Sequence, residues 1–155
     1  MIVRFATEKD LPAVNVLRKQ VDALHVAAKP EVFKPGFPDE LRDFLFVAYQ
    51  NPDYEIVVAE ENGVVLGFAL LQFFHKPENP YKHAQSFLEI DELGVAEAYQ
   101  RQGIGRALIQ FICELARDRG FSRVELNMWE FNRNALAFYE ALGFSTYRRY
   151  MELHV

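Results

Sequence analysis

The segment Gln100-Arg101-Gln102-Gly103-Ile104-Gly105-Arg106 places two glycines and two arginines where an apolar strand gives way to an amphipathic helix. Without a β-carbon, glycine lets the backbone approach a ligand closely, and the first-turn N–H groups of a helix have no partner inside it. With the charge of Arg101 and Arg106 added, this is a cradle for an anion, phosphate above all. Two nucleotide readings fail on the neighbouring residues. A P-loop needs Lys-Ser or Lys-Thr after its second glycine, whereas Arg106-Ala107 follows Gly105 and leaves no hydroxyl for magnesium. A dinucleotide fingerprint needs a third glycine, and position 108 is Leu.

Proton-transfer groups flank the cradle. Glu89 and Asp91 precede it on a strand and share the parity of Leu93 and Val95, so both project to one face if no bulge intervenes. Desolvation and mutual repulsion would raise at least one of their pKa values toward the range of a general base. Glu92 has the opposite parity and becomes relevant if the strand is bulged. Downstream, Tyr139 falls on the apolar side of a helix with Ala135, Phe138 and Leu142, which predicts an interior phenol able to donate a proton. Asn132 is placed to cap that helix. Cys113, inside a helix with no His or Asp pattern near it, reads as a small hydrophobe. His25, His75, His83 and His154 have no metal-ligand spacing, so no metal is expected.

These groups need a scaffold. Ile2 to Ala6 suits a first strand, and Thr7 with Asp10 resembles a capping box opening a helix that reaches Val21 or beyond. Pro30, Pro35 and Pro38 break regular structure around Phe33 and Phe37, and a helix follows from about Pro38 to Tyr49. Tyr54 to Glu60 and Val64 to Phe74 form a hairpin, because Asn62-Gly63 supplies the positive φ angles of a tight turn. Ser86 to Val95 is the next strand. Ile104, Leu108, Phe111, Ile112 and Leu115 recur at helical spacing up to a stop at Gly120. Arg123 to Met128 reads as a strand, Asn132 to Leu142 as a helix and Phe144 to Leu153 as a final strand. Strands alternating with helices imply an α/β or α+β sheet with helices on both faces.

At 155 residues, 50% of them hydrophobic, the chain suits one domain spanning 1–155. Acidic residues outnumber basic ones by 22 to 17, and a net charge of -5 argues against general affinity for nucleic acid or anionic membrane. The single cysteine excludes an internal disulfide framework. The opening residues turn polar too quickly for a secretion signal, and no apolar run reaches membrane-spanning length, so a soluble cytoplasmic protein is expected.

Two motifs occur in order: Leu93-Gly94-Val95 followed by Gln100-x-x-Gly103-x-Gly105, then Asn132-x-x-Ala135-x-x-Phe138-Tyr139-Glu140-Ala141-Leu142-Gly143-Phe144. Together they resemble the GNAT superfamily of acyl-CoA-dependent N-acyltransferases, closely from about Phe87 to Phe144 and in outline elsewhere. The resemblance implies a mixed central sheet of about 6–7 strands with helices on both faces. It further implies that main-chain N–H groups from Arg101 through Gln102, Gly103, Ile104, Gly105 and Arg106 bind the pyrophosphate of coenzyme A. Pantetheine would then lie along Leu93, Gly94 and Val95 between two splayed parallel strands. By the same likeness Asn132 and Phe138 touch the cofactor, and Tyr139 stands near its sulfur as the proton donor. Glu89 matches a glutamate that serves as base in some members, whereas the alternative position on the next strand is Asn127, which cannot accept a proton. His25, Phe33, Trp129 and Glu130 are candidates for the acceptor pocket. The expected activity is acetyl transfer from acetyl-CoA to a primary amine by direct attack in a ternary complex, without metal. The acceptor is a cationic small molecule, or else a protein N-terminus or lysine. A noncatalytic acyl-CoA sensor is the alternative of another class. Relatives often dimerise, so a homodimer is a further expectation.

Overall fold

In the computed structural model, which describes residues 1–155, a single mixed sheet organises the chain. Strands β1 (Ile2–Phe5), β2 (Tyr54–Glu61), β3 (Val64–Lys76), β4 (Gln85–Val95) and β5 (Val124–Leu126) lie side by side in that order. The first four are antiparallel neighbours, and β5 joins β4 in parallel. A parallel partner cannot be reached through a tight turn; the crossover here is helix α3 (Ile104–Asp118). Helices α1 (Leu11–Ala28) and α2 (Asp39–Gln50) precede β2, and α4 (Arg133–Ala141) follows β5. The β2–β3 turn forms as its residues predict, with φ 51° at Asn62 and 79° at Gly63.

Alternation along the strands builds two cores. Val57, Ala59, Ala69, Leu71, Leu88 and Ile90 face α3, whose Ile104, Leu108, Ile109 and Ile112 are buried against them. The residues between, Ile56, Val58, Phe68 and Leu70, face Leu11, Val14 and Leu17 of α1 with Leu45 and Ala48 of α2. Each fully buried aliphatic or phenylalanine side chain contributes roughly 1.5–3 kcal/mol of transfer free energy, so the two layers clamp the sheet from both sides. At the start of α1, Asp10 accepts hydrogen bonds from the Thr7 main-chain N–H and hydroxyl and forms a two-point pair with Arg4. Arg4 also reaches Glu60, tying the helix entry to the β1–β2 edge.

Two expectations are corrected. The sheet has five strands instead of six or seven, and β5 is only three residues long. Residues 144–155 form no strand. Tyr147, Tyr150, Met151 and Leu153 are all exposed, odd and even positions alike, so neither face of this segment is buried and nothing selects a register. The Tyr147 hydroxyl donates to Glu125, which fixes one point of it at the sheet margin.

Gly94 marks the tightest approach between β4 and α1. A β-carbon there would lie 2.8 Å from both the Phe68 ring and the Val21 side chain. Gly94→Ala is therefore expected to destabilise the fold by roughly 1–3 kcal/mol through overpacking. Urea titration checks this as a lowered midpoint at unchanged slope; an unshifted midpoint would show that α1 is free to move away.

Candidate active site

The site originates where β4 and β5 part. Their parallel pairing runs from Leu88–Val124 to Ile90–Leu126 and stops, although β4 continues to Val95. At the same place β4 carries a bulge: Ile90 pairs with Leu71 and Glu92 with Leu70, leaving Asp91 without a partner on β3. Bulges add a residue and re-aim the side chains beyond it. The result is a cleft of about 1100 Å³ between Asp91–Val95 on one side and Leu126–Trp129 with α4 on the other. That is slightly above the ~300–1,000 Å³ usual for small-molecule sites.

The bulge leaves Glu89 and Asp91 on one face but breaks the parity expected between them and Leu93 and Val95. Leu88 and Ile90 lie in the α3-side core and Leu93 and Val95 pack against it, so one residue has been inserted between the two pairs. Glu89 stands level with Gln72 of β3 and Glu125 of β5, away from the residues that line the cleft. Burial, then Asp91 and Glu125, raises its pKa. Asp91 and Glu92 both line the cleft. Glu92 is committed: Nε and Nη2 of Arg18 hold its two oxygens at 2.7 and 2.9 Å. Asp91 has neither hydrogen bond nor ion pair with the protein. Its pKa is raised by burial and by the charge of Glu92, partly offset by Arg18.

At one end of the cleft stands the glycine loop. Gly103, with φ 85°, is the N-cap of α3, and Arg101 also has a positive φ of 62°. Left-handed residues alternating with others turn successive N–H groups into one concavity. A β-carbon on Gly103 would meet no atom within 4 Å, so the backbone angle and the open approach, not crowding by the protein, call for glycine. The main-chain ladder of α3 begins with Ala107 donating to Gly103, which leaves the N–H groups before it without helical partners. Arg101 and Arg106 line the cleft with no carboxylate paired to them. Cations beside the positive end of a helix are unfavourable unless an anion joins them. Gly105 has a different task, since a β-carbon there would sit 3.0 Å from the Phe138 ring. Phe138 thus docks α4 onto the first turn of α3 while lining the cleft.

At the other end, α4 presents Tyr139. Its ring packs edge-to-face against Phe138 and Phe144, and its hydroxyl reaches the cleft without a protein acceptor. Burial pushes its pKa up to about 12, so the phenol stays protonated at physiological pH and acts as a donor. Asn132 caps α4 by accepting from the Ala135 N–H at 3.2 Å, and it too borders the cleft.

An aromatic wall closes the side remote from the cradle. His25, Phe33 and Trp129 line it, with ring centroids 5.3 Å apart for His25–Phe33 and for Phe33–Trp129. Nδ1 of His25 donates to the Val21 carbonyl, so Nε2 is the free nitrogen of the neutral ring. Gln102 and Glu130 do not line the cleft; the Gln102 amide turns back to the Ala98 carbonyl. Arg18, Gln20 and Asp22 line it without having been marked in the sequence. Arg18 had left a sign: it falls on the apolar side of α1 with Val14 and Leu17, where a charge must have a buried partner. Gln20 donates to the Val95 carbonyl and accepts from the Glu97 N–H, fixing the end of β4.

Residues 18–144 match the model of the acetyltransferase (GNAT) family. The chain is 31% identical over 128 residues to L-ornithine N5-acetyltransferase of Arabidopsis thaliana, a match covering 81% of this chain and 53% of that protein. It spans about half the length of the curated relatives it matches. The solved structure of the tetramutant of the BH1408 protein from Bacillus halodurans superposes with a TM-score of 0.95 at 26% identity over 100% of both chains. The aminoglycoside N-acetyltransferase AAC(6')-Iy, bound to a bisubstrate analogue of coenzyme A and acetylneamine, shares the fold with a TM-score of 0.78. Its identity is 19%, over 99% of this chain and 97% of that one.

The protected phenol has a measurable signature. Among the seven tyrosines, Tyr139 should ionise last in a spectrophotometric titration, near pH 12, and Tyr139→Phe should delete that step. Because its folded pKa lies above the unfolded value of about 10, the folded state retains a proton that the unfolded state has released. Stability should therefore fall from pH 10 toward 12 more steeply in the wild type than in Tyr139→Phe. Equal slopes would show the hydroxyl to be solvated.

Proposed function

The chain belongs to the GNAT acetyltransferase family, and from that premise we propose that it transfers an acetyl group from acetyl-CoA to a primary amine of a small cationic molecule by direct attack in a ternary complex. One observation carries the reading. The parting of β4 and β5 is bordered by an N–H cradle with two unpaired arginines, a protonated tyrosine and an unpartnered carboxylate.

The cradle fits the cofactor. Main-chain N–H groups from Arg101 to Arg106 and both arginine side chains suit a pyrophosphate, and Gly103 leaves its approach open. The unpaired edge of β4 over Leu93, Gly94 and Val95 suits an extended chain that hydrogen-bonds as an added strand, with Asn132 and Phe138 opposite. Bound acetyl-CoA supplies a thioester, an acyl group already activated toward amines. Asp91, whose affinity for protons is raised, takes the proton that the amine nitrogen must lose as its bond to the acyl carbon forms. Tyr139 donates its hydroxyl hydrogen toward the departing sulfur and stabilises the charge that collects there. Asp22 and Asp91 give the acceptor side negative charge, and His25, Phe33 and Trp129 give it aromatic faces, a combination that favours a cation. The ornithine-acetylating relative and the aminoglycoside-bound structural neighbour support an acceptor of this class.

Thiol release should be followed with acetyl-CoA against ornithine, linear diamines, aminoglycosides and lysine peptides. The expected outcome is turnover of one or more small amines, with Tyr139→Phe and Asp91→Asn each lowering kcat by about 10²-fold or more. Gly103→Val should abolish coenzyme A binding in calorimetry while the protein stays folded. Turnover of peptides alone would move the acceptor to protein amines. Binding without any turnover would identify a sensor, and absence of binding would overturn the reading.

A further inference from the structure

Arg18 is nearly sealed from solvent, with 4% of its side chain exposed, and each of its three guanidinium nitrogens donates at least one hydrogen bond within the protein. Nε and Nη2 grip Glu92; Nη1 donates to Asn15 and to the Leu41 carbonyl. The Phe37 and Phe44 rings lie 5.5 and 5.9 Å from its central carbon. One buried cation thus joins three pieces that the chain keeps far apart: the α1 core, the Phe37–Leu41 wall of the acceptor side, and the bulge of β4. A buried charge costs several kcal/mol unless fully paired, so a hub of this kind holds its partners in one geometry.

We propose that Arg18 is a positioning residue for the reaction: by binding Glu92 at two points it removes one of two adjacent carboxylates from competition and leaves Asp91 as the one that accepts the proton. The same guanidinium, through Leu41, holds the acceptor wall at a set distance from Asp91. The bulge makes this division necessary. With regular pairing, Asp91 and Glu92 would point to opposite faces; here both border the cleft, and two free carboxylates in succession would share a proton. The ionisable groups around Asp91 are Arg18, Asp22 and His25 from α1, Tyr54 from β2, Glu89 and Glu92 from β4, and Tyr139 from α4. Among them Glu92 raises its proton affinity and Arg18 lowers it, and these two are the pair joined by hydrogen bonds.

The kinetic arm of the test rests on the acetyl-transfer reading; the titration arm does not. In protein labelled with ¹³C at aspartate carboxyls, with the Asp91 signal identified by its loss in Asp91→Asn, Arg18→Gln should move the Asp91 midpoint up by about one pH unit. Adding Glu92→Gln should bring it back down, because the unpaired neighbour is then neutral. In the enzyme, the acid limb of kcat/KM should follow the same order. KM for the accepted amine should rise severalfold in Arg18→Gln and stay raised in the double variant, because Leu41 has lost its tether. An Asp91 midpoint unchanged in Arg18→Gln, or one that the second substitution fails to lower, overturns the proposal. Should Arg18→Gln fail to fold, Glu92→Gln alone decides: with Arg18 left uncompensated, the Asp91 midpoint must fall, and an unmoved midpoint refutes the role.

Discussion

Everything functional in this molecule depends on two parallel strands letting go of each other. A strand in the middle of a sheet satisfies its main-chain groups on both edges, and β4 does so only as far as Ile90. From Glu92 to Val95 its β3 edge stays paired while the β5 edge is free. The free edge is not the exposed margin of the protein but the wall of a cleft, because α1, α3 and α4 stand around it. Continuing β5 alongside β4 would close the cleft and remove the only place where the glycine cradle, Asp91 and Tyr139 come together.

Keeping that gap open requires rigid support on every side. Behind it, α3 is anchored by Ile104, Leu108, Ile109 and Ile112, so the cradle at its N-terminus is held by the largest apolar layer in the chain. Phe138 against Gly105 locks α4 to the same helix turn, and Tyr139, the next residue, inherits its position from that contact. On the opposite wall, Gly94 lets Val21 of α1 come close to β4, and Gln20 bonds to both sides of the strand end. The binding surface is thus made of element termini whose bodies are buried, which gives precision that free loops lack.

Charge is distributed in keeping with this scaffold. The chain is acidic as a whole, yet two arginines without carboxylate partners, Arg101 and Arg106, stand at the cradle, where the helix end is itself positive. At the acceptor side the balance reverses, with Asp22 and Asp91 unpaired and Glu92 neutralised by Arg18. In the proposed reaction this charge pattern would direct the anionic cofactor and the cationic acceptor to different parts of one cleft. Tyr139 lies in the low-polarity middle, where burial holds its proton in place.

Local sequence determined the elements whose signals are short-range. The Asn62-Gly63 hairpin, the α3 periodicity after Gly103, the Asn132 cap and the interior side of α4 with Phe138 and Tyr139 follow from φ preferences and helical spacing, and each formed where its residues required. The cradle was legible for the same reason, since it is contiguous. Tertiary structure decided what depends on pairing between distant segments. Strand parity assigned Glu89 and Asp91 to one face together with Leu93 and Val95, but a single extra residue opposite Leu70–Leu71 put Leu93 and Val95 on the other face and brought Glu92 to the cleft beside Asp91. No local rule announces a bulge, because its cause is the fit of β4 to both β3 and β5. The missing strand after Phe144 is the same lesson: alternation in 144–153 supplies a pattern, while a strand also needs a neighbouring edge and a buried face, and β5 is too short to offer them. Arg18 and Glu92 are 74 residues apart, and only the packing of α1 on β4 made them a pair.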